Sequence, residues 1–113
     1  MNGETGPPVD LSLPQGHGPV WGMASDDLNA TLLSWPPGAG VAEHVNKDRD
    51  VLLVVTEGSG TAIVDGHAHA LTPQHILLIN KGARRHIQAG VNGLRYLSIH
   101  LRRGPLQIEP PGR

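Results

Sequence analysis

The sequence predicts an all-β domain with little or no helix, and three observations support this prediction. No segment of helical length shows a sustained helical period of apolar residues. Short runs rich in Val, Leu and Ile alternate with turn-forming residues, and the chain contains 15 Gly and 10 Pro. Its only aromatic residues are two Trp and one Tyr, so the core has to consist of aliphatic side chains. Together these features favour a β-sandwich or a small barrel.

The chain is predicted to divide into an arm, one barrel and a tail. Residues 1–19 are rich in Pro, Gly and polar residues and are interpreted as an N-terminal arm. The barrel takes residues 20–103, and the tail takes residues 104–113. A chain of 113 residues has the size of one domain, so we expect a single core. The arm is expected to dock on the barrel or on a partner through three apolar side chains, Val9, Leu11 and Leu13.

Each predicted strand is an apolar or alternating run that ends at turn residues. The strongest turn prediction is Asp65-Gly66, because a two-residue type I′ hairpin needs positive φ at both positions. Two glycine-containing segments, 57–60 and 90–93, are expected to end one strand and begin the next. The predicted strands are 20–23, 28–35, 41–46, 51–56, 61–64, 67–71, 76–79, 85–89 and 94–102.

Composition excludes several classes of function. The chain has nine Lys plus Arg and ten Asp plus Glu, a balance that argues against a nucleic-acid or membrane-surface partner. It contains no Cys, which excludes disulfides, thiolate catalysis and zinc–sulfur sites. The N-terminus lacks the basic and apolar regions of a signal peptide, so a soluble cytoplasmic protein is expected.

Residues 38–58 resemble the first sequence motif of the cupin superfamily. That motif runs Gly, five residues, His-x-His, three or four residues, Glu, six residues, Gly. Gly38 and His44 match it, Asn46 stands in the second His position, and Asp50 stands near the acid position but seven residues before Gly58. The resemblance extends over about residues 28–102 and implies a double-stranded β-helix, a jelly-roll-like barrel.

The second cupin motif is matched more loosely. Its Pro-x-Gly resembles Asn80-Lys81-Gly82, which places Arg85 in the position of the family His and His86 one residue beyond. Cupins usually hold Fe, Mn, Ni, Cu or Zn through three His and one carboxylate. A guanidinium cannot ligate a cation and would repel it, so Arg85 argues against that use of the site.

Two functions are therefore carried forward from the sequence. In the favoured one, a polar pocket at the barrel mouth binds a small anionic or polar metabolite without a tightly held catalytic metal, and Arg85 recognises a carboxylate or phosphate. The pocket residues are predicted to be His44, Asn46, Arg85, Tyr96 and His100. Because residues i and i+2 of a strand share a face, His44 and Asn46 are expected to point inward together.

In the alternative, the chain is a metal-dependent cupin oxygenase or isomerase acting on a small polar substrate. Its divalent transition metal would be held by residues taken from His44, Asn46, Asp50, His86 and His100. Metal-free acid–base chemistry of the kind that sugar-nucleotide epimerase cupins use, with a His base and a Tyr acid and with His44, Tyr96 and Arg85 in those parts, is a third interpretation. Resemblance to small cupins also implies a homodimer, which exposed strand edges favour.

Overall fold

Seven antiparallel strands form the structure, a computed structural model that describes residues 5–102. Among these residues there is no helix long and apolar enough to cross a membrane. The all-β prediction is confirmed. The strands are β1 (Gly18–Ala24), β2 (Leu28–Trp35), β3 (Gly40–Val45), β4 (Val51–Val64), β5 (His67–Leu71), β6 (Ile76–Ile79) and β7 (Arg84–Leu101).

The strands pair into two sheets that share β4 and β7. The first sheet has the order β1-β2-β7-β4-β6, and the second has the order β3-β7-β4-β5. The first half of β4 and the second half of β7 pair in the first sheet, and their other halves pair in the second. The two sheets therefore separate from the same pair of long strands, and a space lies between the two sheets.

The predicted strand breaks at 57–60 and 90–93 were wrong, because β4 and β7 each continue through them. The β4–β7 register shifts between Val55 and Glu57 and again between Gly58 and Gly60. Gly58 has φ +79°, and a Cβ atom there would lie 2.2 Å from a carbonyl oxygen of β7. The glycines therefore form bulges that redirect a continuous strand from one sheet to the other.

The Asp65-Gly66 hairpin prediction is confirmed. Asp65 has φ 50° and Gly66 has φ 85°, and Val64 pairs with His67 across the two-residue turn. The Asp65 carboxylate also accepts a hydrogen bond from the backbone N–H of Arg84 at 2.9 Å. This contact joins the hairpin to the start of β7.

The core is aliphatic, as the composition requires, and Tyr96 is its one aromatic member. It lies between the two sheets and draws on both halves of β4 and β7. The largest fully buried side chains are Tyr96, Leu32, Leu53, Leu71, Ile79 and Leu94.

The arm is held on the barrel through main-chain hydrogen bonds, and of its three predicted apolar side chains only Leu11 is half-buried while Val9 and Leu13 are exposed. Val9 is 41% exposed and Leu13 is 69% exposed. Arg95 instead donates hydrogen bonds from Nη2 to the carbonyl oxygens of Leu11, at 2.8 Å, and Pro14, at 2.9 Å. The predicted tail, 104–113, lies outside the described residues.

Candidate functional site

A cavity of about 180 Å³ lies between the two sheets. Six aliphatic side chains form most of its wall, and Tyr96, Ser98, Arg85 and His44 supply its polar groups. Its lining residues come from five strands, β2, β3, β4, β6 and β7, so the shape of the cavity depends on the register of both sheets. The lining residues are Leu33, Val41, His44, Val51, Leu53, Ile79, Arg85, Ile87, Tyr96 and Ser98.

A bulge in β3 determines which of its side chains reach the cavity. Val41 pairs with Ile87 and His44 pairs with Arg85, with a register shift between them. Val41 and His44 both line the cavity although they are three residues apart, a spacing that regular alternation does not allow. The bulge therefore brings His44 to the cavity mouth while Ala42 and Glu43 stay exposed.

Arg85 and His44 form a hydrogen-bonded pair at the mouth of the cavity. Arg85 Nε donates a hydrogen bond to His44 Nε2 at 3.1 Å, and His44 Nδ1 lies 3.0 Å from the carbonyl oxygen of Ala42. Since a guanidinium N–H can only donate, Nε2 must be the accepting nitrogen and Nδ1 must carry the proton that it donates to Ala42. The contacts thus fix the neutral imidazole in one tautomer and hold the guanidinium in place.

Arg85 is the main electrostatic feature of the cavity. It is 6% exposed, and its buried Nη1 atom has no hydrogen-bond partner among the described residues. Burial lowers the pKa of Arg85 from its usual range, and the neighbouring Tyr96 partly offsets that effect. A guanidinium stays charged in a protein, so the cavity presents a buried positive charge with an unused donor.

Tyr96 places a second donor in the same wall. Its hydroxyl oxygen accepts a hydrogen bond from Trp35 Nε1 at 3.1 Å, which leaves the phenolic hydrogen available to an acceptor in the cavity. Burial raises the pKa of Tyr96, while the bond from Trp35 and the charge of Arg85 partly counter this effect. The neutral phenol is therefore favoured, and it can donate to a bound oxygen atom.

Two other predicted pocket residues do not line the cavity. The Asn46 side-chain oxygen accepts hydrogen bonds from the backbone N–H groups of Asp48, at 3.0 Å, and Arg49, at 3.2 Å, so Asn46 closes the turn after β3. His100 shares its strand face with Tyr96, but its ring nitrogens contact Asn29 and the carbonyl oxygen of Leu101. Of the five predicted pocket residues, the structure brings together His44, Arg85 and Tyr96.

The predicted metal ligands are not brought together either. Within residues 5–102 no group of three or more His, Asp or Glu side chains is placed to hold a metal ion. His86 pairs with Ile63 and lies on the face opposite to Arg85, and the Asp50 carboxylate accepts a bond from the Lys81 backbone N–H. The donor set therefore does not fit the metal that the cupin resemblance implied.

The aliphatic wall is the part of the site that sequence reasoning missed. In the sequence, Val51, Leu53, Ile79 and Ser98 lie in the predicted strands 51–56, 76–79 and 94–102, and no local feature distinguishes them from core residues. A buried apolar run looks the same in sequence whether its side chains fill a core or line a cavity. Only the packing of two sheets distinguishes the two cases.

Comparison with known families gives one match. The family model described as the AraC-like ligand binding domain matches residues 31–107, about two thirds of the chain. The matched segment begins in β2 and includes every residue that lines the cavity. No curated protein sequence matches this chain.

Solved structures establish the barrel type. A protein from Thermus thermophilus superposes with a TM-score of 0.74 at 19% identity, over 84% of this chain and 96% of that one. KdgF from Halomonas sp. gives 0.69 at 17% identity, over 78% and 81%. A cupin protein from Bacteroides fragilis gives 0.63 at 26% identity, over 71% and 70%. The cupin fold predicted from the two motifs is confirmed.

Proposed function

Because this chain belongs to the AraC-like ligand binding domain family, we propose that it binds a small anionic metabolite in the cavity beside Arg85, without a tightly held catalytic metal. One observation carries the proposal. The buried Arg85 Nη1 atom has no partner among the described residues and belongs to a side chain that lines a cavity. An unsatisfied buried donor is costly to stability, and a bound anion would satisfy it.

The arrangement supports binding rather than a specific reaction. Arg85 and Tyr96 both donate hydrogen bonds, and His44 Nε2 is occupied by Arg85, so it is not free to act as a base in this arrangement. Arg85 supplies the positive charge and a hydrogen-bond donor for the anion. His44 orients Arg85 by accepting the hydrogen bond from its Nε atom. We therefore assign the chain as a ligand-binding module for a small anion.

The test compares two adjacent arginines. Arg85→Gln removes the buried charge, and Arg84→Gln removes an exposed charge that forms a 2.9 Å ion pair with Glu43. Isobutyrate, inorganic phosphate and gluconate serve as anionic probes at constant ionic strength. Binding is measured from NMR shifts of the Arg85 Nε–H group, where that residue is present, and of the Tyr96 backbone amide.

We expect at least one probe to produce saturable shifts in the wild-type chain and in Arg84→Gln. The Tyr96 amide shift should lose saturation in Arg85→Gln, because the cation that attracts the anion is absent. Saturable binding of the same strength in Arg85→Gln would contradict the proposal. So would shifts that stay linear with concentration for all three probes in the wild-type chain.

A homodimer is the second part of the proposal, and the outer face of the first sheet supports it. One row of paired residues crosses all five strands as Met23, Ala30, Ile99, Leu52 and Leu78. Met23 is 53% exposed and Leu78 is 57% exposed. Ile76, two residues before Leu78 on the same face of β6, is 63% exposed. The row is exposed at both edges and half-buried at Ala30, Ile99 and Leu52; such an apolar face supports an interaction surface, and a second copy offers a matching one by two-fold symmetry.

Size-exclusion chromatography with light scattering tests the dimer. Leu78→Glu places a charge on this face and should shift the mass to that of a monomer. Val91→Glu is the control, since Val91 is 84% exposed but lies in the part of β7 that pairs with neither β2 nor β4. A wild-type chain that is monomeric at every concentration, or equal effects of both variants, would contradict this interface.

A further inference from the structure

The cavity wall separates into a small donor cluster and a large apolar part. Arg85, Tyr96 and Ser98 supply the polar atoms, and the rest of the wall beyond His44 consists of aliphatic side chains. Leu53 is 2% exposed and Ile79 is 1% exposed, so this part of the wall presents little surface to bulk solvent. We expect an occupant to place its charge beside the donors and its apolar body against the aliphatic side chains.

The donor cluster matches a single negative charge. Among the described residues that line the cavity, Arg85 is the one Lys or Arg side chain, and His44 Nε2 accepts its hydrogen bond. A phosphate dianion would bury a second charge without a counter-charge. A carboxylate instead presents two oxygen atoms, which the Arg85 Nη1 donor and the Tyr96 hydroxyl can share.

The aliphatic wall disfavours a polyhydroxylated body. A sugar acid would turn several hydroxyl groups toward Val51, Leu53 and Ile79, whose side chains offer no hydrogen-bond partner. A buried hydroxyl that loses its water partners and gains none weakens binding. A hydrocarbon body would be buried without that loss.

Cavity volume limits the size of the occupant. The volume of about 180 Å³ corresponds to about six water molecules at roughly 30 Å³ each in the liquid. Because organic groups pack more densely than water, this space holds between about six and nine non-hydrogen atoms. A carboxylate with a short or branched chain of about four to six carbons has the right size.

Resting on the proposed function, we infer that the cavity selects a monocarboxylate with a compact aliphatic body over phosphate and over sugar acids. Arg85 and Tyr96 hold the carboxylate, and the aliphatic wall buries the chain. No covalent step is involved.

The experiment measures affinity for four sodium salts, acetate, isovalerate, phosphate and gluconate, by NMR titration of the full chain at constant ionic strength. Isovalerate should bind at least about tenfold more tightly than acetate, since three added carbons bury apolar surface against the wall. It should also bind at least about tenfold more tightly than phosphate or gluconate. Arg85→Gln should remove the saturable binding of all four salts.

A second variant isolates the aliphatic wall. Val41→Thr keeps the volume of a partly exposed lining residue and adds a hydroxyl group, so the fold should be retained. It should weaken isovalerate severalfold and acetate by a clearly smaller factor, because the longer chain buries more surface against the wall. Equal weakening of the two salts would overturn the inference.

The outcomes separate the two levels of the proposal. If phosphate or gluconate binds most tightly and Arg85→Gln removes that binding, the anion site stands and the monocarboxylate selectivity is overturned. If no salt binds in a manner that depends on Arg85, both proposals are overturned.

Discussion

Arg85→Met is predicted to stabilise the ligand-free protein although it removes the residue on which the site depends. Arg85 is 6% exposed and its Nη1 atom is a buried donor without a partner in residues 5–102. Such a donor costs about 1–3 kcal/mol. Met has an unbranched apolar side chain of similar length that fills irregular space, so it removes the charge without leaving a large void.

The gain is reduced by the hydrogen bond that the substitution removes. Arg85 Nε donates to His44 Nε2 at 3.1 Å, and a typical bond of this kind contributes about 0.5–1.5 kcal/mol net. His44 is exposed, so water can replace the lost donor. We therefore expect the free energy of unfolding to rise by about 0.5–1.5 kcal/mol in Arg85→Met.

Arg95→Met is the matched control, with the opposite sign. Arg95 donates from Nη1 to Ser34 Oγ at 3.2 Å and from Nη2 to the carbonyl oxygens of Leu11 and Pro14. Its Nε atom lies 3.9 Å from a carboxylate oxygen of Glu57, an ion pair too long for a hydrogen bond. Three lost bonds cost about 1.5–4.5 kcal/mol, and removal of the buried Nε donor, which has no hydrogen-bond partner among the described residues, returns about 1–3 kcal/mol, so a net destabilisation of about 0.5–1.5 kcal/mol is predicted.

Urea unfolding of extensively dialysed protein, followed by tryptophan fluorescence, measures both variants. The dependence on urea should be the same in the three proteins, so that midpoint differences report stability. A loss of stability in Arg85→Met as large as that in Arg95→Met would refute the reasoning. Arg85 would then be a structural residue, and its free donor would no longer indicate a ligand.

Three further predictions concern single groups. Because burial raises the pKa of Tyr96 above its ordinary 10.0, the unfolded phenol ionises first, and stability should fall as pH rises above about 10. Tyr96 is the only tyrosine in the chain, so ultraviolet titration measures its pKa directly. Ionisation at the ordinary value would contradict the prediction. Nitrogen NMR of His44 should show a proton on Nδ1 and none on Nε2 at neutral pH. A proton on Nε2 would contradict the prediction, because Nε2 could then not accept the hydrogen bond from Arg85. Gly66→Ala, in open space at φ +85°, should cost about 1–2 kcal/mol, and Gly58→Ala, which adds a backbone clash at φ +79°, at least about 3 kcal/mol. Equal losses in urea unfolding would mean that the close approach at Gly58 is relieved at no cost.

Local patterns predicted the fold well where one turn or one run decides the structure. The Asp65-Gly66 hairpin follows from a rule about two residues, and strand β2 was predicted with its observed bounds, Leu28–Trp35. The glycine segments 57–60 and 90–93 were misread as turns. Glycine permits both a turn and a bulge, and the choice depends on the strand that pairs with it, which the local sequence does not contain.

The site was predicted in part for the same reason. Alternation assigned His44 and Asn46 to one face, but a bulge in β3 brings Val41 to the cavity with His44, and the Asn46 amide closes a turn. Arg85 was identified because the cupin motif places a His at that position. That its Nη1 atom lacks a partner could not be predicted, since it depends on every neighbour that folding brings near it.

The position of Arg85 determines the sign of charge that the cavity accepts. His44 faces the cavity mouth with Arg85 beside it in register, so a guanidinium occupies the place where the family motif would put an imidazole. An imidazole there could lend a lone pair to a cation, whereas a guanidinium has only donors and a fixed positive charge. His86 cannot restore the lone pair, because its neighbour Ile63 and its own strand alternation hold it on the other face. Together with the departures at Asn46 and Asp50, Arg85 removes the donor set that a cation would need, and under the proposed function it makes the cavity suited to an anion within the same barrel.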